Sequence, residues 1–288
     1  MNSENIITVD SLSYTYMQGT PYETQALKNV SFSIKKGEII GIIGKTGCGK
    51  STLVQHLNGL IRPMSGQVTA DGLELSDKKI NLKKLRCKVG LVFQYPEYQL
   101  FEETVFEDAA FGPRKANFSE EDVFTSVKSS LELMGFNFEA IKNRSPFSLS
   151  GGEMRRVAIA GILAMKPSVL ILDEPTAGLD PNTKEILLSK LSYLNSQGVT
   201  IIMVSHSMDE VVEIADRLIV MNDGNIVAIG GKKEIFSDSN VLDISSLMLP
   251  QCTKLLLVLK EAGVDVGTDF FKTEETAKEI KRAFDFKK

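Results

Sequence analysis

The residues with the clearest chemistry form a glycine-rich loop that follows an apolar, strand-like run. The loop consists of Gly44, Lys45, Thr46, Gly47, Cys48, Gly49, Lys50, Ser51 and Thr52. Its pattern is G-x-x-x-x-G-K-S, and a strand before it and a helix after it are the context that a phosphate-binding loop requires. Glycines let backbone N–H groups face phosphate oxygens, while Lys50 supplies a positive charge and Ser51 a hydroxyl ligand for Mg²⁺. The loop therefore predicts a site for a nucleotide and its magnesium ion.

Two carboxylates follow the apolar run 169–172, namely Asp173 and Glu174. Ligands of open α/β sheets bind at the carboxyl ends of the strands, where this pair emerges. We expect Asp173 to hold Mg²⁺ opposite Ser51, and Glu174 to polarise an attacking water as a general base. The alternative interpretation is an ordinary strand that ends in acidic loop residues.

A second glycine-rich stretch, Leu-Ser-Gly-Gly-Glu at 149–153, precedes a predicted helix. Glycines at a helix N-terminus offer free N–H groups, so Ser150, Gly151 and Gly152 form a candidate anion-binding cradle. A capped helix start with Ser150 as the N-cap explains the same five residues. Arg155 and Arg156, further along this helix, either meet a partner or form a solvated helix face.

Together these motifs resemble those of the ATP-binding-cassette ATPases, whose signature sequence is LSGGQ or LSGGE. The resemblance covers about residues 5 to 235 and includes three further elements. These are Gln94 after its strand, the stretch Ala-Gly-Leu-Asp at 177–180, and His206 after the strand 200–204. The resemblance identifies the bound nucleotide as ATP and the reaction as its hydrolysis.

The resemblance also implies roles for residues that the spacing alone does not assign. Gln94 would contact Mg²⁺ and the attacking water, and His206 would contact the γ-phosphate. Tyr16 resembles the aromatic residue that stacks on adenine, with Tyr14 and Tyr22 as alternatives. The Ser150 to Gly152 cradle would reach the ATP held by a different protomer, so two chains would complete each site.

The composition bounds the class of protein. The chain has 288 residues, 43% of them hydrophobic, and a net charge of −4. It contains no apolar run long enough for a transmembrane helix and no signal-peptide pattern at its start. Its three cysteines show no spacing typical of zinc sites or disulfides, so the cytosol is the expected compartment. The acidic balance argues against a broad nucleic-acid surface.

The fold class predicted is α/β, because strand-like segments alternate with helical ones and so imply a mostly parallel sheet. The predicted strands are 6–9, 29–34, 38–43, 66–70, 88–93, 169–172, 200–204 and 218–221, and the main helices are 50–60, 151–165, 181–196 and 208–215. The resemblance implies a RecA-like core, an antiparallel β subdomain and a helical subdomain over about 95–165. We expect an ATPase domain over 1–238 and a C-terminal helical extension over 239–288 that serves dimerisation.

The segment after Gln94 mixes aromatic residues with carboxylates. The carboxylates are Glu97, Glu102, Glu103, Glu107 and Asp108. They predict an acidic, partly apolar groove for a basic helix of a membrane partner, or alternatively a solvated acidic loop. This segment, together with 19–27 and 151–161, resembles the ATPases of energy-coupling-factor transporters, which import vitamins and metal ions, and in particular the second of their two paralogues.

That resemblance implies a set of partners at the cytoplasmic face of the cell membrane. The chain would form a heterodimer with a sister ATPase, with a homodimer as the alternative, on a transmembrane coupling protein and a substrate-binding membrane component. No nucleic-acid partner is expected. The alternatives are the ATPase of a conventional transporter and a non-transport cassette ATPase acting on DNA or ribosomes, whose usual coiled-coil inserts and zinc cysteines the sequence lacks. The sequence does not identify the transported substrate, because the resemblance implies that a different polypeptide determines substrate specificity.

Overall fold

The computed structural model describes residues 5–77, 79–245 and 247–285. The strands are β1 (Asn5–Tyr16), β2 (Thr24–Lys35), β3 (Ile39–Gly44), β4 (Ser65–Ala70), β5 (Leu73–Glu74), β6 (Val89–Val92), β7 (Val169–Asp173), β8 (Thr200–Val204), β9 (Arg217–Asn222) and β10 (Asn225–Gly230). The helices are α1 (Lys50–Leu57), α2 (Leu82–Lys88), α3 (Val105–Lys115), α4 (Glu120–Leu133), α5 (Phe138–Ile141), α6 (Gly151–Leu163), α7 (Pro181–Ser196), α8 (Met208–Ile214), α9 (Lys232–Ser237), α10 (Ser239–Ser245), α11 (Gln251–Glu261) and α12 (Thr273–Asp285).

The strands form two sheets. The larger has the order β10-β9-β3-β8-β7-β6, in which β9, β3, β8, β7 and β6 run parallel and β10 pairs antiparallel at one edge. The smaller is an antiparallel sheet with the order β2-β1-β4-β5. The predicted mostly parallel core with a separate antiparallel sheet is therefore confirmed.

Both faces of the larger sheet are covered, which explains why its central strands are continuous apolar runs. Side chains alternate between the faces of a strand. Ile40 and Ile42 of β3 pack into the core that α1 shares with the antiparallel sheet. Ile39 and Ile43 pack into the core formed with α3 to α8. The helix α1 is thereby held between the two sheets, immediately after the glycine-rich loop.

Local signals explain where the main helices begin. Ser119 and Ser150 cap α4 and α6 by accepting a hydrogen bond from the backbone three residues on. Asp180 does the same for α7, which has Pro181 at its first turn, where proline is well tolerated. The caps of α6 and α7 place those helix starts at residues 151 and 181, as the sequence predicts.

Several elements differ from the sequence-based expectations, and β1 and β2 extend well beyond the predicted strands 6–9 and 29–34. The first α-helix of the predicted helical subdomain is α3, which lies within the segment that we interpret as a groove and begins where Thr104 caps it. The helix α2 and the short strand β5 were not predicted, and neither was β10, which follows the turn at 222–224 as the second strand of a hairpin. Short elements such as these depend on pairing with neighbours rather than on their own periodicity.

The C-terminal segment is helical, as predicted from its amphipathic pattern. Val241 of α10 joins the main core, whereas Leu256, Val266 and Ala283 form a small cluster of their own. The domain boundary at residue 238 stays a prediction. No helix within the described ranges is long and apolar enough to cross a lipid bilayer.

A buried histidine lies on α1 beneath the glycine-rich loop. The Nδ1 atom of His56 lies 2.7 Å from the Thr52 carbonyl oxygen, so Nδ1 carries the proton in the neutral ring. Its Nε2 atom has no hydrogen-bond partner in the described part of the chain. Burial lowers the pKa of His56 below its ordinary value of 6.5, because a second proton would leave a buried charge.

This histidine should make the protein less stable in acid. Below pH 6.5 the unfolded chain binds a proton that folded His56 does not, so the free energy of unfolding falls as the pH falls. We expect the loss between about pH 7.5 and about pH 5.5 to be about 1 kcal/mol larger in the wild type than in His56→Leu. Urea unfolding at the two pH values measures it. The variant lacks the bond to Thr52 at both pH values, so that loss does not affect the change between them. Equal changes in the wild type and the variant would contradict the prediction.

Candidate active site

The parallel register brings the predicted motifs to one edge of the sheet. Asp173, the last residue of β7, pairs with Val204 at the end of β8, and Val204 also pairs with Ile42 of β3. The glycine-rich loop, Glu174 and His206 therefore leave the sheet side by side, and Gln94 follows β6 at the same edge. These residues are far apart in the chain and meet because carboxyl ends of parallel strands coincide.

A cavity of about 450 Å³ lies at this edge. It is lined by most of the predicted site residues: Tyr16, Thr46, Gly47, Gly49, Lys50, Ser51, Thr52, Gln94, Asp173, Glu174 and His206. Residues that the sequence analysis did not single out complete the wall: Thr24, Gln25, Ala26, Asp223 and Gly224. The geometry thus joins the phosphate-binding loop to both carboxylates and to the histidine.

The loop's backbone requires glycine at two of its positions. Gly44 has φ 150° and Gly49 has φ 105°, in the region that side chains disfavour. A Cβ atom on Gly44 would lie 2.2 Å from the Met221 carbonyl oxygen, and one on Gly49 would lie 2.5 Å from the Ala26 carbonyl oxygen. The loop is therefore wedged against β2 and β9, which fixes its curvature.

Lys50 is buried within this loop, with 8% of its surface exposed. Its ammonium group donates to the carbonyl oxygens of Gly44 at 2.8 Å and Lys45 at 2.9 Å. These bonds hold the positive charge of Lys50 beside the curved backbone of the glycine-rich loop. Cys48 is also buried here, its Sγ 4.0 Å from the Lys50 Nζ, and burial raises the pKa of its thiol.

Asp173 and Ser51 face each other across the cavity floor. Burial raises the pKa of Asp173, while a hydrogen bond with the Ser51 side chain and the charge of Lys50 oppose that rise. A buried carboxylate beside a hydroxyl is a donor set of the hard oxygen type that Mg²⁺ prefers. The residues present therefore fit a magnesium ion held between Ser51 and Asp173, with Gln94 on the same wall.

Glu174 and His206 form the second pair of the site. The His206 Nδ1 lies 2.8 Å from a Glu174 carboxylate oxygen. Glu174 has φ 52°, an unusual value for a residue with a side chain, and its N–H donates to the Val204 carbonyl at 2.9 Å. A strained backbone at the proposed general base is typical of functional positions.

Among the three candidate tyrosines, Tyr16 alone contributes to the described lining of the cavity. Its hydroxyl lies 3.2 Å from the Thr52 Oγ1, at the start of α1. Tyr14 packs edge-on against Tyr16 and against His56 in the core. Tyr22 is 77% exposed. The position of Tyr16 is the one suited to the face of a nucleotide base.

The Ser150 to Gly152 cradle is not among the described residues that line the cavity. Ser150 and Glu153 form a reciprocal capping box, in which Glu153 N–H donates to Ser150 Oγ at 3.3 Å and Ser150 N–H donates to Glu153 at 2.8 Å. The capped-helix interpretation is therefore correct locally. Ser150 and Gly151 are exposed to solvent.

Two interpretations from the sequence are wrong in detail. Arg155 is not on a solvated helix face, because only 3% of it is exposed and it binds Glu97. The acidic segment is not a row of five free carboxylates: Glu97 pairs with Arg155, Glu107 pairs with Arg114, and Asp108 accepts from the Phe101 N–H at 2.8 Å. Hydrophobic periodicity does not reveal such pairings, which join a helix to a neighbouring segment or residues two turns apart on α3.

The turn at 222–224 lies against the glycine-rich loop. Gly224 N–H donates to the Cys48 carbonyl at 3.0 Å, and Lys28 N–H donates to the Gly224 carbonyl at 2.8 Å. The Asn-Asp-Gly sequence signals the turn, and only the pairing of β3 with β9 brings it against the glycine-rich loop.

A comparison with protein families matches residues 27–177, just over half of the chain, to the family described as ABC transporter. The chain belongs to the ABC transporter family. Members of this family bind ATP with Mg²⁺, and the chain is an ATP-hydrolysing enzyme.

Curated relatives narrow the assignment. The chain is 51% identical over 274 residues to the energy-coupling factor transporter ATP-binding protein EcfA2 of Clostridium perfringens, covering 95% of this chain and 96% of the relative. It is 50% identical to EcfA2 of Caldanaerobacter subterraneus, over 96% of each chain. Within the ABC transporter family, the chain belongs to these energy-coupling factor transporter ATP-binding proteins, as its sequence motifs predicted.

Solved structures agree with the fold. The chain is similar to cbiO1 of Clostridium perfringens, part of the ABC transporter complex cbiONQ, with a TM-score of 0.74 and 37% identity over 90% of this chain and 98% of that one. It is also similar to the ATP-binding cassette MJ0796, solved as a dimer bound to ADP and Pi, with a TM-score of 0.70 and 31% identity over 78% of this chain and 98% of that one.

The position of Tyr16 generates a test of base stacking. We expect Tyr16→Ala to raise the Kd of Mg-ATP about 10- to 100-fold, since stacking of a base on an aromatic ring contributes about 1–3 kcal/mol. Tyr16→Phe keeps the ring and should stay within about threefold, because it loses only the contact with Thr52. Calorimetric titration of the full chain measures both. Tyr22→Ala is the matched control, and an equal effect there would reassign the stacking residue.

Proposed function

We propose that this chain powers an energy-coupling factor importer for vitamins or metal ions by hydrolysing ATP at the cavity described above. The observation that carries the proposal is that one cavity wall holds the glycine-rich loop, Asp173, Glu174, His206 and Gln94 together. Each of these positions carries the residue type that hydrolysis needs. A pure nucleotide-binding regulator would not need Glu174 and His206.

In the proposed mechanism the loop N–H groups and Lys50 bind the phosphates of ATP. Ser51, Asp173 and Gln94 would hold Mg²⁺, which when bound would supply positive charge to the phosphates. Glu174 orients the attacking water and accepts its proton. His206 contacts the γ-phosphate and, through its 2.8 Å contact, keeps the Glu174 carboxylate in place.

A second chain completes the site in this proposal. Ser150 and Gly151 are exposed and Gly152 is half-buried, and all three are absent from the described lining of the cavity. Two chains facing each other would bring the cradle of one to the ATP of the other. The partner we propose is a sister ATPase, in a heterodimer rather than a homodimer, and the helical extension over 239–288 would add to that contact. ATP would then close the pair, and hydrolysis would release it.

The membrane partner would bind beside the segment that follows Gln94. Two aromatic side chains there are open to solvent, with Tyr98 84% and Phe101 57% exposed. Phe101 stacks edge-on against Phe111 at 5.0 Å, which forms an apolar floor. Glu102 and Glu103 lie next to this floor. We propose that a basic helix of a transmembrane coupling protein docks here, at the cytoplasmic face of the membrane, and that a separate membrane component binds the substrate.

The role of Glu174 predicts a separation of binding from hydrolysis. We expect Glu174→Gln to lower kcat at least about 100-fold, because a general base contributes about 10²- to 10⁴-fold. The Kd of Mg-ATP should stay within about threefold, since the amide preserves the shape of the side chain. Phosphate release and ATP binding are measured on the same preparation. Hydrolysis near the wild-type rate would rule out Glu174 as the base.

The docking surface predicts a selective loss of membrane partners. We expect the wild type, purified in mild detergent from its native membranes, to retain a second cassette ATPase and integral membrane proteins. Glu102→Ala with Glu103→Ala should keep the ATPase partner and lose most of the membrane proteins, because the charges that attract a basic helix are gone. Glu121→Ala with Glu132→Ala, which removes the same charge from the exposed side of α4, is the matched control. Recovery with ribosomes or DNA would instead favour a non-transport role.

A further inference from the structure

A buried arginine connects three segments that border the active site. Arg155 lies in the second turn of α6 and is 3% exposed. Its Nε and Nη2 atoms donate to the two carboxylate oxygens of Glu97 at 3.0 and 2.8 Å. Its Nη1 donates to the carbonyl oxygen of Pro175 at 3.1 Å and to that of Ala177. One guanidinium therefore holds α6, the segment after Gln94 and the loop after Glu174.

Each of these contacts depends on the planar fork of arginine. The paired bonds to Glu97 use one edge of the guanidinium, and the remaining nitrogen donates to the two carbonyls, so a single group makes four hydrogen bonds. The Tyr95 ring covers the group, with its centroid 5.7 Å from Cζ. A lysine has one nitrogen and would not reach both the carboxylate and the carbonyls with this geometry.

The three segments have different neighbours. Gln94, just before Tyr95, lines the nucleotide cavity. Tyr98, just after Glu97, is exposed on the proposed docking surface, which consists of Tyr98, Phe101 and Phe111 and is called the aromatic surface below. Pro175 to Ala177 directly follows Glu174. If the 95–99 segment moves, Arg155 either moves with Glu97, which changes its bonds to the loop after Glu174, or loses its bonds to Glu97.

A second set of contacts holds the same loop from its other side. The Thr176 hydroxyl donates to the Glu210 carboxylate on α8, and the Lys184 Nζ on α7 lies 2.9 Å from that carboxylate. The loop is thus fixed between α7 and α8 on one side and Arg155 on the other. Of these anchors, Arg155 is the one that also binds the segment beside the aromatic surface.

We propose that Arg155 is a positioning residue that couples the segment 95–99 to the catalytic loop, so that movement at the aromatic surface changes the placement of Glu174. The proposal rests on the proposed roles of Glu174 and of that surface. Arg155 does not act on ATP itself, because its contacts are with Glu97 and the backbone of the loop. It acts on the rate of hydrolysis through the position of Glu174.

The test is steady-state hydrolysis by the full chain assembled with its ATPase and membrane partners. We expect Arg155→Lys to lower kcat between about 10- and 100-fold, as a small misplacement of a catalytic group does, with KM for ATP within about twofold. Glu97→Gln should lower kcat less. The double variant should be no slower than Arg155→Lys alone, because the two residues act as one unit.

Arg156→Lys is the matched control on the same helix. Its Nη1 donates to the Met134 carbonyl at 3.0 Å and its guanidinium covers the Phe136 ring, both within the helical subdomain. We expect that variant to retain kcat. Equal losses of kcat in the Arg155 and Arg156 variants, additive effects of Arg155→Lys and Glu97→Gln, or a kcat for Arg155→Lys within twofold of wild type would each overturn the proposal. Glu174→Gln separates the two claims: activity in that variant refutes the role of Glu174 on which the coupling rests, whereas an inactive Glu174→Gln beside a wild-type kcat in Arg155→Lys refutes the coupling alone.

A fluorescence measurement keeps the proposal testable if Arg155→Lys does not fold. The chain contains no tryptophan, so Tyr98→Trp places a single reporter in the coupled segment. Addition of Mg-ATP should change its emission in the otherwise wild-type chain, and Glu97→Gln should abolish most of that change. An unchanged response with Glu97→Gln, or no response in the wild-type background, would overturn the coupling.

Discussion

The site depends on the parallel pairing of β3, β8, β7 and β6. In parallel strands all carboxyl ends lie at one edge, so loops that are distant in the chain leave the sheet together. Burial on both faces enforces the register, since a slip of one residue would exchange the two apolar faces of β3 and separate Asp173 from the glycine-rich loop. The chemistry therefore rests on apolar strands that have no chemistry of their own.

Two buried cations shape the loops at that edge. Lys50 donates to the carbonyls of Gly44 and Lys45, and Arg155 donates to those of Pro175 and Ala177. In both cases a positive group satisfies backbone oxygens that helices and strands leave unpaired. The difference lies in their counterions: Arg155 has Glu97 within the chain, whereas the position of Lys50 in the cavity suits the phosphates of ATP. Arg155 is thus suited to holding the loops together, and Lys50 to binding the substrate.

The strained backbone of Glu174 and the position of the 150–152 cradle outside the described cavity lining both make hydrolysis depend on other parts of the proposed assembly. Glu174, the proposed general base, has φ 52° and is held by its neighbours, including the Val204 carbonyl, His206 and the loop that Arg155 binds. In the proposed assembly the signature cradle comes from another chain, so rapid hydrolysis requires both the second chain and a correctly placed loop. Membrane binding, dimer closure and hydrolysis would then depend on one another without any direct contact between ATP and the membrane partner.

The sequence by itself determined the family, the fold class and the residue types of the site, because glycine-rich loops, strand-end carboxylates and helix caps are local patterns with local physical causes. It also located α7 and β8 at their observed bounds. Only the tertiary structure decided which tyrosine reaches the cavity, that Gly224 supports the glycine-rich loop, and that Arg155 is buried against Glu97. These facts depend on contacts between segments that lie far apart in the chain, and no period or spacing along the sequence records which of those segments become neighbours.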